Sequence, residues 1–189
     1  MTHVIFKKHN EKRARYITSM FSGLISEGEN VLDIGLGNGF IAKQIKDEFK
    51  ADIEGVDVVD YNSSEIKNTI YDGLHLPFPD NSFDSAIILE TLHHCTDMVQ
   101  VLKETRRVVR KNVIILEDIY ENAYEKYTLL FHDWISNARK GVKCPYYFQT
   151  KERWREIFAD IGLKIVSEKH YLDRFLIFPS RHVMYVLGK

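Results

Sequence analysis

The sequence predicts an α/β protein: a doubly wound, mostly parallel sheet with helices on both faces and an antiparallel C-terminal strand. Three observations predict it. Short apolar runs that end in an acidic residue alternate with segments of helical periodicity, the pattern of βαβ units with right-handed crossovers. The first run, Val31-Leu32-Asp33-Ile34, passes directly into Gly35-Leu36-Gly37-Asn38-Gly39 and then into a helical pattern. That is the sequence form of a strand, a tight turn and a helix. The last two apolar runs, Leu163 to Val166 and Val183 to Leu187, lie on either side of Pro179 with no long helix between them, so they pair antiparallel.

The elements follow in order. Glu11 to Ile25 reads as a helix, with Ile17, Met20, Phe21 and Leu24 at helical spacing. The loop Ser26 to Asn30 leads to the first strand, and Ile41 to Phe49 forms the helix behind the glycine turn. Ala51 to Val56, ending in Asp57, is the second strand, and Asn68 to Tyr71 is a brief third. Leu74 to Phe83 contains Pro77 and Pro79 and reads as loop. Ser85 to Leu89 is nearly all apolar, as a strand buried on both faces should be. Met98 to Val109 is a helix with Val101, Leu102, Thr105 and Val108 inward. Val113 to Leu116 is the fifth strand, followed by Glu117 and Asp118. Lys151 to Ala159 is a helix that ends near Gly162, a C-terminal cap.

Composition narrows the class. The chain of 189 residues suits one domain, and 44% hydrophobic with 28% charged residues supports a core rather than disorder. Residues 1–30 read as an N-terminal helix and linker within that single domain. A formal net charge of -1 provides no field for nucleic acid or an anionic membrane. Arg106, Arg107, Arg110 and Lys111 suit a solvated helix end, since no aromatic platform is interleaved with them. Cys95 and Cys144 are far apart and form no zinc or disulfide pattern. Lys7, Lys8, Lys12 and Arg13 precede no apolar h-region, so no signal peptide is expected. No apolar run has the length of a membrane span. The expected location is the cytoplasm.

The glycine turn carries the chemistry. Glycine tolerates φ > 0 and lets a ligand approach bare backbone. N–H groups at a helix start can hold a carboxylate or phosphate. A dinucleotide fingerprint would place its third glycine at position 40, which is Phe40. Asp33, inside the strand end, would repel a pyrophosphate but not a cofactor bearing an ammonium and a sulfonium. The order Asp33-x-Gly35-x-Gly37-x-Gly39 resembles the first motif of class I S-adenosylmethionine (SAM)-dependent methyltransferases, which share a Rossmann-like fold. In open α/β sheets ligands sit beyond the carboxyl ends of the strands. That rule selects Asp33, Asp57, Asp72, Glu90, and Glu117 with Asp118. Asp57 lies 22 residues after Gly35, the spacing at which an acid meets ribose hydroxyls; Asp60 is its rival.

A second segment resembles the same family. Leu76-Pro77-Phe78-Pro79-Asp80-Asn81-Ser82-Phe83-Asp84 and Leu89-Glu90-Thr91-Leu92-His93-His94 are similar to the corresponding segments of the ubiquinone and menaquinone biosynthesis methyltransferases. The resemblance implies a SAM site of Asp33, Gly35, Leu36, Gly37, Asn38, Gly39, Asp57, Val58, Asp72, Gly73, Leu74, Glu90 and Thr91. In it Asp72 accepts from the adenine amine and the Leu74 N–H meets a ring nitrogen. Val58 and Leu74 flank the adenine, and Glu90 and Thr91 border the methyl end. The chain departs from the family at Arg110-Lys111-Asn112, a turn far from the cofactor face. It departs again at Leu36, where many members have cysteine, a position dominated by its backbone.

His93 and His94 either supply a general base or begin a helix that braces the cofactor loop. A metal would need a third ligand. His132 and Asp133 offer one, but the spacing matches no standard site, so no metal is expected. The segment 119–148 reads as a substrate cover. Its stripe Tyr124, Tyr127, Phe131 and Trp134 either packs into the core, the commoner use of such a stripe, or faces a cleft as a lid. Pro145 to Phe148 would close the same cleft. His94, Glu117, Asp118, His132 and Tyr147 are the candidates beside a small-molecule methyl acceptor. The sequence does not choose among them, and no catalytic residue is assigned. The reaction implied is in-line methyl transfer. The alternatives are a SAM-binding module without transfer, and a nicotinamide-dependent oxidoreductase, which Phe40 and Asp33 disfavour.

Overall fold

The computed structural model describes residues 14–137, 145–175 and 178–189. Residues 14–19 are helical (α1). The elements then run β1 Asn30–Ile34, α2 Phe40–Phe49, β2 Asp52–Asp57, β3 Lys67–Ile70, β4 Phe83–Leu89 and a 3-10 turn Leu92–His94. After these come α3 Met98–Val108, β5 Val109–Ile119, α4 Ala123–Asn137, α5 Lys151–Asp160, β6 Lys164–Phe175 and β7 Phe178–Gly188. The strand order is β3-β2-β1-β4-β5-β7-β6. Among the described residues no helix is long and apolar enough to cross a membrane.

Contacts divide the chain into two compact units, Met1–Ile70 and Tyr71–Lys189. In the first, β1 pairs parallel with β2 and β2 parallel with β3. Val31, Leu32 and Ile34 of β1 are fully buried, and burial of such a side chain stabilises by about 1.5–3 kcal/mol. The first helix is shorter than its periodicity suggests. Met20, Phe21 and Ser22 donate to carbonyls three residues back, and Gly23 at φ +76° turns the chain out of the helix. Ile17 and Phe21 still reach the core. Residues 11–13 of the predicted helix lie outside the described residues.

In the second unit β4 pairs parallel with β5, β7 antiparallel with β5, and β6 antiparallel with β7. Ala86, Ile87 and Ile88 of β4 and Val113, Ile114 and Ile115 of β5 are fully buried, as two-faced burial demands. Strand β5 runs further than its apolar run. Cross-strand partners on β7 hold Glu117, Asp118 and Ile119 in the ladder, opposite Val183, His182 and Arg181. Helix α3 begins where the Asp97 carboxylate accepts the Gln100 N–H at 2.9 Å. Helix α5 begins at Thr150 and buries Trp154, Ile157 and Phe158, with Phe158 edge-on to Tyr185. Gly162, at φ +74°, ends it.

The loop before β4 is held from α3. The Arg107 guanidinium donates to the carbonyls of Phe78 and Leu76 at 2.8 and 3.0 Å and to Asp80 and Glu104. Two prolines leave this loop few donors of its own, so its carbonyls are gathered by one fork-shaped cation.

Glycines 37 and 39 make different demands. Gly39 has φ +71°, and a Cβ there would meet Ser64 Oγ at 2.1 Å and Asn62 Oδ1 at 2.7 Å. At Gly37, φ +58°, a Cβ meets nothing closer than the Gly35 carbonyl at 4.0 Å. Gly39→Ala is therefore expected to destabilise by about 2–4 kcal/mol and Gly37→Ala by about 1 kcal/mol. Urea unfolding of both variants checks the difference.

Candidate active site

In the first unit the glycine turn is tied to β2. The Gly35 and Leu36 N–H groups donate to the Val56 carbonyl at 2.8 and 3.1 Å, and the Gly37 N–H donates to Asp57 Oδ2 at 2.8 Å. Asp57 Oδ1 accepts from the Val58 N–H at 2.7 Å. The Gly39 N–H donates to Leu36 O, and the Phe40 N–H to Asn38 Oδ1. These five turn donors are thus satisfied within the chain. The expectation that N–H groups here stand ready for a phosphate is corrected at those positions. Leu36 is also more than backbone: its side chain is buried and lies over Gly55, where a Cβ would meet Leu36 Cδ2 at 2.7 Å.

Charge sets the character of this turn. Asp33 is buried within β1, not beyond its end. Burial, reinforced by the Asp57 charge, pushes its carboxyl up to about 7. A positive group brought near would relieve both effects, whereas an anion would add to them. Val58 projects an exposed apolar side chain just after Asp57.

In the second unit Asp72 closes a tight turn. Its Oδ1 accepts from the Leu74 and His75 N–H groups at 2.8 and 2.7 Å, and its Oδ2 meets His75 Nδ1 at 2.8 Å. The His75 bond first, then the two N–H groups, hold the Asp72 carboxyl down at about 2. The Leu74 N–H points inward to Asp72, so its expected bond to adenine is unavailable while this turn persists. Gly73, at φ +81°, permits the turn.

Beyond β4, Glu90 sits at φ +51°, and its N–H donates to Leu116 O at 2.7 Å. A left-handed glutamate is strained, and such strain gathers at working sites. The Thr91 N–H and hydroxyl are both engaged, to Glu117 Oε1 and Leu89 O.

Glu117 requires a correction. It is fully buried, and its Oε1 also accepts the Leu92 N–H at 2.6 Å, while Oε2 meets His93 Nδ1 at 2.6 Å. A carboxylate sealed by three donors braces the 91–94 turn and is no base for an outside substrate. His93 is held as part of this brace, one of the two readings its sequence allowed. Its ring stacks on Phe148 at 4.5 Å, and its carbonyl accepts the Tyr147 N–H at 3.0 Å. Burial opposes charge on His93, but Glu117 and Asp133, with Asp118 further off, outweigh it and raise the imidazole well above its ordinary value.

The other candidates divide. Asp118 Oδ1 lies 2.6 Å from His182 Nδ1, and Glu90 Oε1 lies 3.7 Å from the same nitrogen. His182 was missed in the sequence because only the β5–β7 register brings it opposite Asp118. His94 Nε2 lies 3.6 Å from Asp133 Oδ1. His132 is half-buried, and burial lowers its imidazole against the pull of the Asp118 charge. Tyr147 is exposed.

Helix α4 departs from the commoner use of an aromatic stripe. Tyr124, Tyr127, Phe131 and Trp134 are 52–69% exposed, and Leu129 and Glu125 fill the inward face instead. Glu125 is held there by Arg181 at 2.9 Å.

This fold is the Rossmann-like α/β sheet of the class I SAM-dependent methyltransferases that the sequence resembles. Residues 32–116 match the methyltransferase domain family, a match that disfavours the nicotinamide reading. A phosphoethanolamine N-methyltransferase from Caenorhabditis elegans is 23% identical over 165 residues, 81% of this chain and 36% of that protein. A sterol 24-C-methyltransferase from Gibberella zeae is 31% identical over 117 residues, 52% of this chain and 31% of that protein. The chain thus spans about a third of the length of these curated relatives. A solved structure of a methyltransferase-like protein from Bacillus halodurans has the same fold, with a TM-score of 0.72 at 13% identity, covering 90% of this chain and 97% of that one.

Asp33 yields a test of the first unit. Its folded value, about 7, lies above the 3.8 of an ordinary carboxyl. Its stabilising contribution is therefore full below pH 4 and is lost as pH rises through 7. Unfolding free energy should fall by up to a few kcal/mol between pH 5 and pH 8 in the wild type. In Asp33→Asn that part of the slope should vanish, as urea titrations across this range would record.

Proposed function

We propose that the protein transfers the methyl group of SAM to a small-molecule acceptor by in-line displacement. The acceptor's lone pair forms the new bond to the methyl carbon. The carbon–sulfur bond breaks, and its electron pair neutralises the sulfonium. The leaving group is already activated by charge, so the protein's share is alignment and exclusion of water. One observation carries the reading: a glycine turn in which the N–H groups of Gly35, Leu36, Gly37, Gly39 and Phe40 are satisfied internally, beside two acids, Asp33 and Asp57. Such a turn suits a cationic cofactor. The names of the phosphoethanolamine and sterol relatives support a small acceptor.

In this reading Asp57 receives the ribose hydroxyls, Val58 covers one adenine face, and Asp72 and Leu74 serve the base. Glu90 and Thr91 border the methyl end. Asp118 and His132 stand on the acceptor side, and His132, lowered by burial, is neutral at pH 7 and able to take a proton. His94 and Tyr147 complete that side. The exposed aromatics of α4 and Tyr147 form the acceptor's cover, within the segment 119–148.

Asp57→Ala should weaken SAM and S-adenosylhomocysteine by about 1.5–3 kcal/mol, because hydrogen bonds to a charged acceptor are lost. Calorimetry measures it, and an effect at Asp60→Ala instead would move the ribose site by three residues. SAM should also displace the Asp33 proton on binding at pH 6, so the heat of binding should depend on the ionisation enthalpy of the buffer.

Hydrogen exchange in residues 123–137 should be fast in the ligand-free protein and slow with S-adenosylhomocysteine bound. Exchange as slow as in β4 without ligand would mean that α4 is no cover.

A further inference from the structure

A second chemistry lies on the far side of the Glu117 clamp. His93, His94 and Asp133 each offer one ligand atom, and these atoms all lie within 4.8 Å of one another. Asp133 Oδ1 is 3.8 Å from His93 Nε2 and 3.6 Å from His94 Nε2. Both separations exceed a hydrogen bond. Ligand atoms about 2.1 Å from a shared tetrahedral ion stand roughly 3.4 Å apart, a few tenths of an ångström from what is seen. Asp133 Oδ1 thus stands near co-ligand spacing from both imidazole nitrogens.

The setting matches as well. His93 is buried, and its other ring nitrogen is held by Glu117 Oε2 at 2.6 Å. A carboxylate on the far nitrogen fixes the tautomer and aims Nε2, which is the way metal-ligating imidazoles are usually supported. The ring is stacked on Phe148, so it is not free to swing away. His94 follows in the same 3-10 turn and Asp133 comes from α4, so the donors are fixed by two separate elements.

We propose that His93, His94 and Asp133 bind a divalent transition-metal ion of the zinc class. Two imidazoles and one carboxylate leave a fourth position for water or a small oxygen, nitrogen or sulfur donor. The cluster Glu90, Asp118 and His182 is not the site. Its Asp118 Oδ1 and His182 Nδ1 stand 2.6 Å apart, which would force an angle of about 75° at an ion 2.1 Å from each, too acute for this class. The expectation of no metal rested on sequence spacing alone, and Asp133 enters through the placement of α4. The site stands independently of the methyl-transfer reading.

The test is a Co²⁺ titration of the full chain, stripped with chelator and free of any affinity tag. Visible absorption of tetrahedral strength should appear and saturate at one ion per chain, and Zn²⁺ should bleach it. His94→Ala and Asp133→Asn should each weaken binding about tenfold or more, with the far-ultraviolet circular dichroism unchanged. His182→Ala should leave the titration as it is. Absorption no stronger than that of aqueous Co²⁺, equal affinity in the His94 and Asp133 variants, or loss in His182→Ala alone would overturn the assignment.

Discussion

The Glu117 carboxylate is the constraint on which much of the second unit depends. A carboxyl group with no exposed surface must find its hydrogen-bond partners within the protein. Glu117 finds three, the N–H groups of Thr91 and Leu92 and the ring of His93. Meeting that demand fixes the turn after β4 as a 3-10 helix. The turn presents the His93 carbonyl to the Tyr147 N–H and the ring to Phe148. Residues 147–149 are thereby docked, and Gln149 bridges to Ile119 at the end of the same strand. One buried carboxyl group thus organises chain from three stretches of sequence.

The first unit solves a similar problem in the opposite way. Asp33 is nearly as buried, but its charged neighbour is Asp57, another acid. Without a cation its proton is retained to about pH 7. The two acids are therefore not equivalent. Glu117 is complete as it stands, whereas Asp33 is stabilised as an anion only when positive charge arrives. A site that awaits a cationic ligand should contain an acid of the second kind, and its turn should not compete with exposed N–H donors. Asp33 meets the first condition, and the N–H groups of Gly35, Leu36, Gly37, Gly39 and Phe40 meet the second.

Much of this was legible in the sequence. Apolar runs located β1, β2 and β4 within a residue or two, because strands buried on both faces leave few polar positions to confuse them. Strand β5 was underestimated at both ends. Arg110-Lys111-Asn112 reads as a turn and the strand reads as ending at Glu117 and Asp118, yet β7 extends the ladder across Asn112 and through Ile119. Pairing with a partner more than sixty residues away leaves no local trace. The same register hid His182. The exposed aromatics of α4 failed for a different reason. Helical spacing shows that residues share a face and is silent on which face the protein covers. Here Leu129, His132 and Asp133 take the inward side.

The two carboxylate–imidazole pairs at the ends of these strands show how burial assigns roles. Glu117–His93 and Asp118–His182 have the same separation, 2.6 Å. Their acids are neighbours in β5, and alternation sends their side chains to opposite faces of the sheet. The Glu117 pair is sealed, with side chains 0–3% exposed, and its hydrogen bonds serve the structure. The Asp118 pair is 13–18% exposed and has Glu90 for company, and the Asp118 charge acts on His132. Its residues keep some exposure, although the facing Asp118 Oδ1 and His182 Nδ1 atoms are themselves buried. Two adjacent acids on one strand thus divide the labour: one face fixes the turn, and the other keeps titratable groups available beside the strand ends, where an α/β sheet holds its ligands.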